Sequence, residues 1–186
     1  MSVYNMSKVI IFPTDTVYGI GTPIFDLEGI KRIYEIKNRP LDKPLACLCS
    51  DLEQIKSICI VSSDAIKLIN KFLPGALTLI LKAKKEVYEK IGYKTIGVRI
   101  PNYSKAIDIL KENGPMLTTS VNESGNVPLN EYDEIYKNYN NLVDYIYDSD
   151  KQSSNHPSTV LSLVDGIKVL REGDITLDNI KDCLNY

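Results

Sequence analysis

The stretch KVIIFPTDTVYGIG, residues 8–21, sets the fold class. After Lys8 it opens with a short apolar run, of strand length rather than helix length. From Phe12 onward it places Thr14, Asp15, Thr16, Tyr18, Gly19 and Gly21 where that strand ends and the chain heads towards a helix. A turn needs only the glycines, so the hydroxyls and the acid ask for a second use. Amides and hydroxyls gathered at a strand end are common ligand-binding equipment in α/β proteins. A turn with local side-chain caps is the equal alternative.

The same alternation continues along the chain. Candidate strands are residues 8–12, 44–49, 76–81, 96–100, 116–121, 143–147, 159–164 and 167–170. Several are apolar throughout, as in strands covered on both faces. Candidate helices are residues 26–36, 63–72, 104–113, 132–138 and 176–184. The first carries Leu27, Ile30, Ile33 and Tyr34 on one face, with Asp26 placed to cap it. The second stops at Pro74-Gly75 and the third at Gly114-Pro115. Asp165-Gly166 between the last two strands is a hairpin signal, so the predicted α/β sheet is mixed. No repeat or linker divides residues 1–186, and a single domain is expected.

Composition excludes several classes. Hydrophobic residues make up 44% and charged residues 25%, which argues against disorder. A net charge of −2 provides no global basic field for nucleic acid. No apolar run is long enough to span a bilayer, and the first residues lack a signal-peptide pattern, so a cytoplasmic, non-membrane protein is expected. Cys47, Cys49, Cys59 and Cys183 lack the paired spacing of a zinc site and read as buried reduced thiols, with no metal expected. The only histidine, His156, lies in a polar loop, so an imidazole mechanism would hang on one exposed residue. Residues 139–155 form the softest region, and residues 139–157 are a candidate mobile cover for a site.

Other polar clusters also follow apolar runs. In KNRPLDKP, residues 37–44, Pro40 disfavours helix at Arg39. On an extended chain Lys37 and Arg39 then face one side, and Lys43 adds a third cation. Phosphate is their natural partner, and a solvated charged loop the plain alternative. In TTSVNESG, residues 118–125, Ser120 and Asn122 are again two apart and can hold a phosphate, a ribose or a carboxylate. Arg99 interrupts IGVRIP and Arg171 ends VLREGD's apolar run; each needs an ion-pair partner or a ligand. No P-loop, no dinucleotide fingerprint and no nucleophile elbow occurs.

Taken in order, FPTDTVYGIG, YEIKNRPLDKPL, LPGALTLIL, IGVRIPN, TTSVNESG, PSTVLSL and VLREGDI resemble the YrdC-like family of threonylcarbamoyl-AMP synthases, in its short single-domain form. The resemblance implies a twisted mixed parallel/antiparallel sheet flanked by helices, with a concave basic cleft. It implies synthesis of threonylcarbamoyl-adenylate and pyrophosphate from L-threonine, bicarbonate and ATP, with Mg²⁺ accompanying the ATP. Partner proteins would transfer the group to tRNA beside the anticodon, and direct RNA binding is a further expectation. By position, the family's catalytic tetrad falls on Lys37, Arg39, Ser120 and Asn122. Its threonine-binding positions fall on Thr16, Arg99 and Ser158, and the segment from Thr14 to Tyr18 would shape that pocket, with the glycines admitting backbone close to the ligand. Nucleotide-binding positions fall on Arg39, Lys43, Thr95, Asn122, Asn130 and Arg171. The chain departs from the pattern at Leu48, where many members carry histidine, and is about one residue shorter between Ser158 and Arg171. A non-catalytic RNA-binding module using the same cleft is the alternative, with a carbamoyl-transfer relative and a structural or regulatory fragment behind it.

Overall fold

The computed structural model describes residues 7–149 and 157–185. The opening stretch is a hairpin. Strand β1 (Ile10–Phe12) runs into a loop, and β2 (Gly19–Pro23) returns antiparallel with Gly19 opposite Phe12. The second strand was not foreseen, because GIGTP has two glycines and a proline, which count against a strand. Neighbours on both sides override that propensity: β1 pairs along one edge and β6 (Met116–Ser120) along the other.

The glycines serve that pairing directly. A Cβ on Gly19 would lie 2.6 Å from Thr118 Cγ2, and one on Gly21 2.7 Å from Thr118 Oγ1. The Thr118 side chain lies across both positions and occupies the space.

The remaining strands are β3 (Ala46–Leu48), β4 (Leu77–Lys82), β5 (Thr95–Arg99), β7 (Tyr145–Ile146), β8 (Thr159–Ser162) and β9 (Lys168–Arg171). Their order in one sheet is β7-β1-β2-β6-β3-β5-β4-β8-β9. The pairs β1/β7, β3/β5 and β4/β8 are parallel and the others antiparallel, the mixed sheet that the Asp165-Gly166 hairpin predicted. Gly166 sits at φ 93, a conformation that side chains disfavour.

Helices α1 (Leu27–Lys37), α3 (Ser63–Phe72), α5 (Ser104–Asn113), α6 (Tyr132–Tyr139) and α7 (Leu177–Leu184) match expectation. Asp26 caps α1 by accepting from the Gly29 N–H. Helices α2 (Leu52–Ile58) and α4 (Lys85–Ile91) were missed; at seven residues each they are too short to show a clear apolar period.

Two apolar clusters flank the sheet. Ile11, Ile20, Leu79 and Val98 belong to the larger one, with Ile33 of α1 and Leu68 of α3. Ile10 and Phe12 join Leu48, Met116 and the buried face of α5 in the smaller one. Successive β1 residues therefore enter opposite layers, which is why that strand is apolar throughout. Cys47, Cys49 and Cys59 are buried free thiols and Cys183 is a partly buried one. Among the described residues no helix is long and apolar enough to cross a membrane. His156 and the rest of residues 150–156 lie outside the described residues.

Candidate active site

A cavity of 510 Å³ opens over the centre of the sheet. Alternate residues of neighbouring strands make most of its floor: Thr118 and Ser120 of β6, Ala46 and Leu48 of β3, Gly97 and Arg99 of β5, Thr78 and Ile80 of β4, with Thr119 at the lining as well. This is one face of the sheet, selected by the two-residue period of a strand. Among the described residues its charged lining residues are Arg39, Arg99 and Arg171, and no aspartate or glutamate lines it.

Arg99 is buried and heavily engaged. Its Nη2 donates to Asp15 Oδ1 at 2.6 Å, Nη1 to Thr16 Oγ1 at 2.7 Å and Nε to the Gly75 carbonyl at 2.9 Å. Burial lowers its pKa, and the neighbouring Asp15 opposes that. Asp15 thus has its cation. The turn alternative holds as well: Thr14 Oγ1 accepts from the Thr16 and Val17 amides and donates to the Val17 carbonyl. The loop caps itself and still lines the cavity with Thr14, Thr16, Val17 and Tyr18.

The tetrad does not project as expected. Helix α1 continues through Lys37, and the break comes at Asn38, left-handed at φ 47. The chain is therefore not extended at Lys37, and Lys37 and Arg39 do not project together into the cavity. Lys37 turns inward and is buried. Its Nζ donates to the Ser120 carbonyl at 2.5 Å, the Asn122 carbonyl at 2.5 Å and Asn122 Oδ1 at 2.9 Å. An ammonium has three protons, and all are used. Ser120 Oγ donates to Asn122 Oδ1 at 2.7 Å, and Asn122 Nδ2 donates to the Glu123 and Asn126 carbonyls. Lys37, Ser120 and Asn122 therefore form one knot at the end of β6, from which Ser120 reaches the cavity wall while Lys37 and Asn122 stand behind it. Burial lowers the Lys37 pKa to about 8, with the Arg39 charge adding to the effect.

Arg39 is half-buried on the wall, its Nε and Nη2 donating to the Lys43 and Pro44 carbonyls at 2.8 and 3.0 Å. Across the cavity, Ser158 Oγ lies 2.8 Å from Thr78 Oγ1, and Arg171 Nε and Nη2 both donate to the Ser158 carbonyl. Thr95 also lines the wall. Lys43 and Asn130 do not: Lys43 is exposed, and Asn130 Oδ1 accepts the Tyr18 amide at 3.0 Å, fixing the loop from behind. Thr78 and Thr118 were missed as lining residues. Their signal was a hydroxyl at alternate positions of an apolar strand, legible only once the open face is known. Leu48 makes part of the wall apolar.

The hold on Ser158 and Arg171 comes from Thr159. Its buried Oγ1 donates to the Ile175 carbonyl at 2.7 Å and accepts from the Gly173 amide at 2.8 Å and the Ile175 amide at 3.3 Å. Gly173 crosses so closely that a Cβ there would lie 2.6 Å from the Pro157 carbonyl oxygen. Thr159→Val keeps the shape and loses these bonds. We expect urea unfolding to show a loss of about 2–3 kcal/mol.

The sequence profile of the Sua5/YciO/YrdC family, described as "Telomere recombination", matches residues 2–173. Over 181 residues the chain is 34% identical to the threonylcarbamoyl-AMP synthase of Bacillus subtilis, covering 94% of this chain and 52% of that protein. The chain thus spans about half the length of that relative. It superposes on the crystal structure of Pyrococcus abyssi Sua5 complexed with L-threonine with a TM-score of 0.87 at 30% identity, over 95% of this chain and 54% of that one. On Escherichia coli YciO the TM-score is 0.83 at 32% identity, over 94% and 87% of the two chains.

Proposed function

The chain belongs to the Sua5/YciO/YrdC family, and on that footing we propose that it is a threonylcarbamoyl-AMP synthase. The observation that carries this is the cavity itself, walled by Arg39, Arg99, Arg171 and hydroxyls, with no lining carboxylate among the described residues to repel an anionic substrate. Three anions need places: the carboxylate of threonine, bicarbonate and the polyphosphate of ATP.

Threonine binds beside Arg99, Thr16 and Ser158. Arg99 uses three N–H groups internally, which leaves two of the five guanidinium protons for the amino-acid carboxylate. Arg39 and Arg171 take the phosphates, with Thr95 on the nucleotide side of the same wall. The threonine amine and bicarbonate give N-carboxy-threonine and water. A carboxylate oxygen of that carbamate attacks the α-phosphorus of ATP, and the bond to pyrophosphate breaks. Charge building on the phosphate oxygens is stabilised by Arg39 and Arg171 and by the field of the buried Lys37 ammonium. Mg²⁺ enters as Mg–ATP. Among the described residues the cavity wall offers no carboxylate and no cluster of metal-ligating side chains exists, so we assign no protein ligand. The product passes to proteins that transfer the threonylcarbamoyl group to tRNA.

Pyrophosphate release from Mg–ATP tests this, with threonine and bicarbonate each supplied or omitted and serine as comparison. We expect release to need both substrates and to favour threonine over serine. Folded protein that releases none, yet binds RNA in a salt-sensitive manner, would overturn the synthase in favour of an RNA-binding module.

A further inference from the structure

Two tyrosine hydroxyls behind the cavity wall hold the loop that carries Arg39. Tyr34, on α1, is buried, and Tyr93, in the link between α4 and β5, is half-buried. Their hydroxyl oxygens lie 2.8 Å apart. Tyr34 Oη donates to the Lys43 carbonyl at 2.9 Å, and the Leu45 amide donates to Tyr93 Oη at 3.4 Å. The same Lys43 carbonyl accepts from Arg39 Nε.

Each hydroxyl has one proton. That of Tyr34 goes to the Lys43 carbonyl, so that of Tyr93 goes to Tyr34. The opposite choice would leave the Tyr34 and Lys43 oxygens 2.9 Å apart with no proton between them. A one-way chain results, from the Leu45 N–H through Tyr93 and Tyr34 to the Lys43 carbonyl, and each link polarises the next. Both its ends lie on the loop whose carbonyls orient Arg39. Backbone bonds from the Arg39 N–H to the Tyr34 carbonyl and from the Lys43 N–H to the Pro40 carbonyl shape the loop, but its side chains give it few packing contacts: Leu41 is 85% exposed, and Asp42, Lys43 and Pro44 are exposed as well.

We infer that Tyr34 and Tyr93 are positioning residues that aim the Arg39 guanidinium at the phosphates of the nucleotide. This rests on the synthase function proposed above and deepens it. Arg39 keeps three of its five N–H groups for the anion while Nε and Nη2 are anchored on the loop. Without the hydroxyl chain the anchor carbonyls drift, and the guanidinium drifts with them. The amino-acid side of the cavity, built on Arg99 and its own partners, is left as it was.

Tyr34→Phe, Tyr93→Phe and the double variant test this. Mg–ATP binding is measured by calorimetry, KM for ATP and for threonine by pyrophosphate release, and folding by thermal melting. In Tyr34→Phe we expect ATP affinity to fall about tenfold. Threonine KM should stay within about twofold, and the double variant should be no weaker than Tyr34→Phe, because both hydroxyls act through one chain. Unchanged ATP affinity in the single variants, equal weakening towards both substrates, or additive losses in the double variant would each overturn the inference while wild type turns over. Wild-type protein that releases no pyrophosphate would overturn the function and the inference together.

Discussion

Lys37→Met should lower threonine- and bicarbonate-dependent pyrophosphate release by about 100-fold or more, with the fold intact. The size follows from where the charge sits. Lys37 is 1% exposed, and among the described residues its partners are the Ser120 and Asn122 carbonyls and Asn122 Oδ1, with no carboxylate. A cation in a poorly solvated place acts on nearby phosphate oxygens with little screening. It also ties down the Ser120–Asn122 knot that presents the Ser120 hydroxyl to the cavity. Single-turnover measurement, with circular dichroism as a control for folding, checks the loss; full activity in Lys37→Met would remove the lysine from the mechanism. The pH profile gives a second check. With a pKa of about 8 in place of the ordinary 10.5, activity should fall as pH rises through 8 and the ammonium discharges. Stability moves the other way. Between about 8 and 10.5 the unfolded chain holds the extra proton, so this group makes unfolding harder as pH climbs through that window, and its benefit is lost as pH falls through 8. Lys37→Met should show neither limb.

Arg99→Leu has the larger effect on stability, about 3–5 kcal/mol in urea unfolding. Arg99 and Asp15 are paired at 2.6 Å with side chains only 8% and 18% exposed, so removing one strands the other out of water. The Gly75 carbonyl and Thr16 hydroxyl lose their donor too. Removing both charges, as in Asp15→Asn with Arg99→Leu, should restore most of the stability, because the stranded charge is the main cost. Threonine binding, followed by calorimetry without ATP, should remain lost in the double variant, because the proposed carboxylate clamp is gone. Threonine affinity near wild type in Arg99→Leu would place the amino acid elsewhere.

These variants also separate what was legible at each level. The apolar runs identified strands covered on both faces, because Ile10 and Phe12 enter one apolar layer and Ile11 the other. Caps and breakers placed the longer helices at Asp26, Pro74-Gly75 and Gly114-Pro115, since capping and proline sterics are local. Strand β2 escaped, because glycine and proline argue against a strand until β1 and β6 are known to flank it. The short α2 and α4 escaped for want of period.

The sequence by itself determined the mixed α/β class, the ordered motifs, and a cavity set that includes Arg39, Arg99, Ser120, Ser158 and Arg171. The class and the arginines depend on residue type and near-neighbour spacing, whereas Ser158 enters the set only through the family resemblance. The tertiary structure alone decided which way each group points. One left-handed residue, Asn38, sends Lys37 inward and Arg39 to the wall, although they are two residues apart. Asp15 finds its cation 84 positions away in Arg99, and Asn130 serves a backbone amide 112 positions away. Contacts at such separations are set by strand order and register, and no local pattern encodes them.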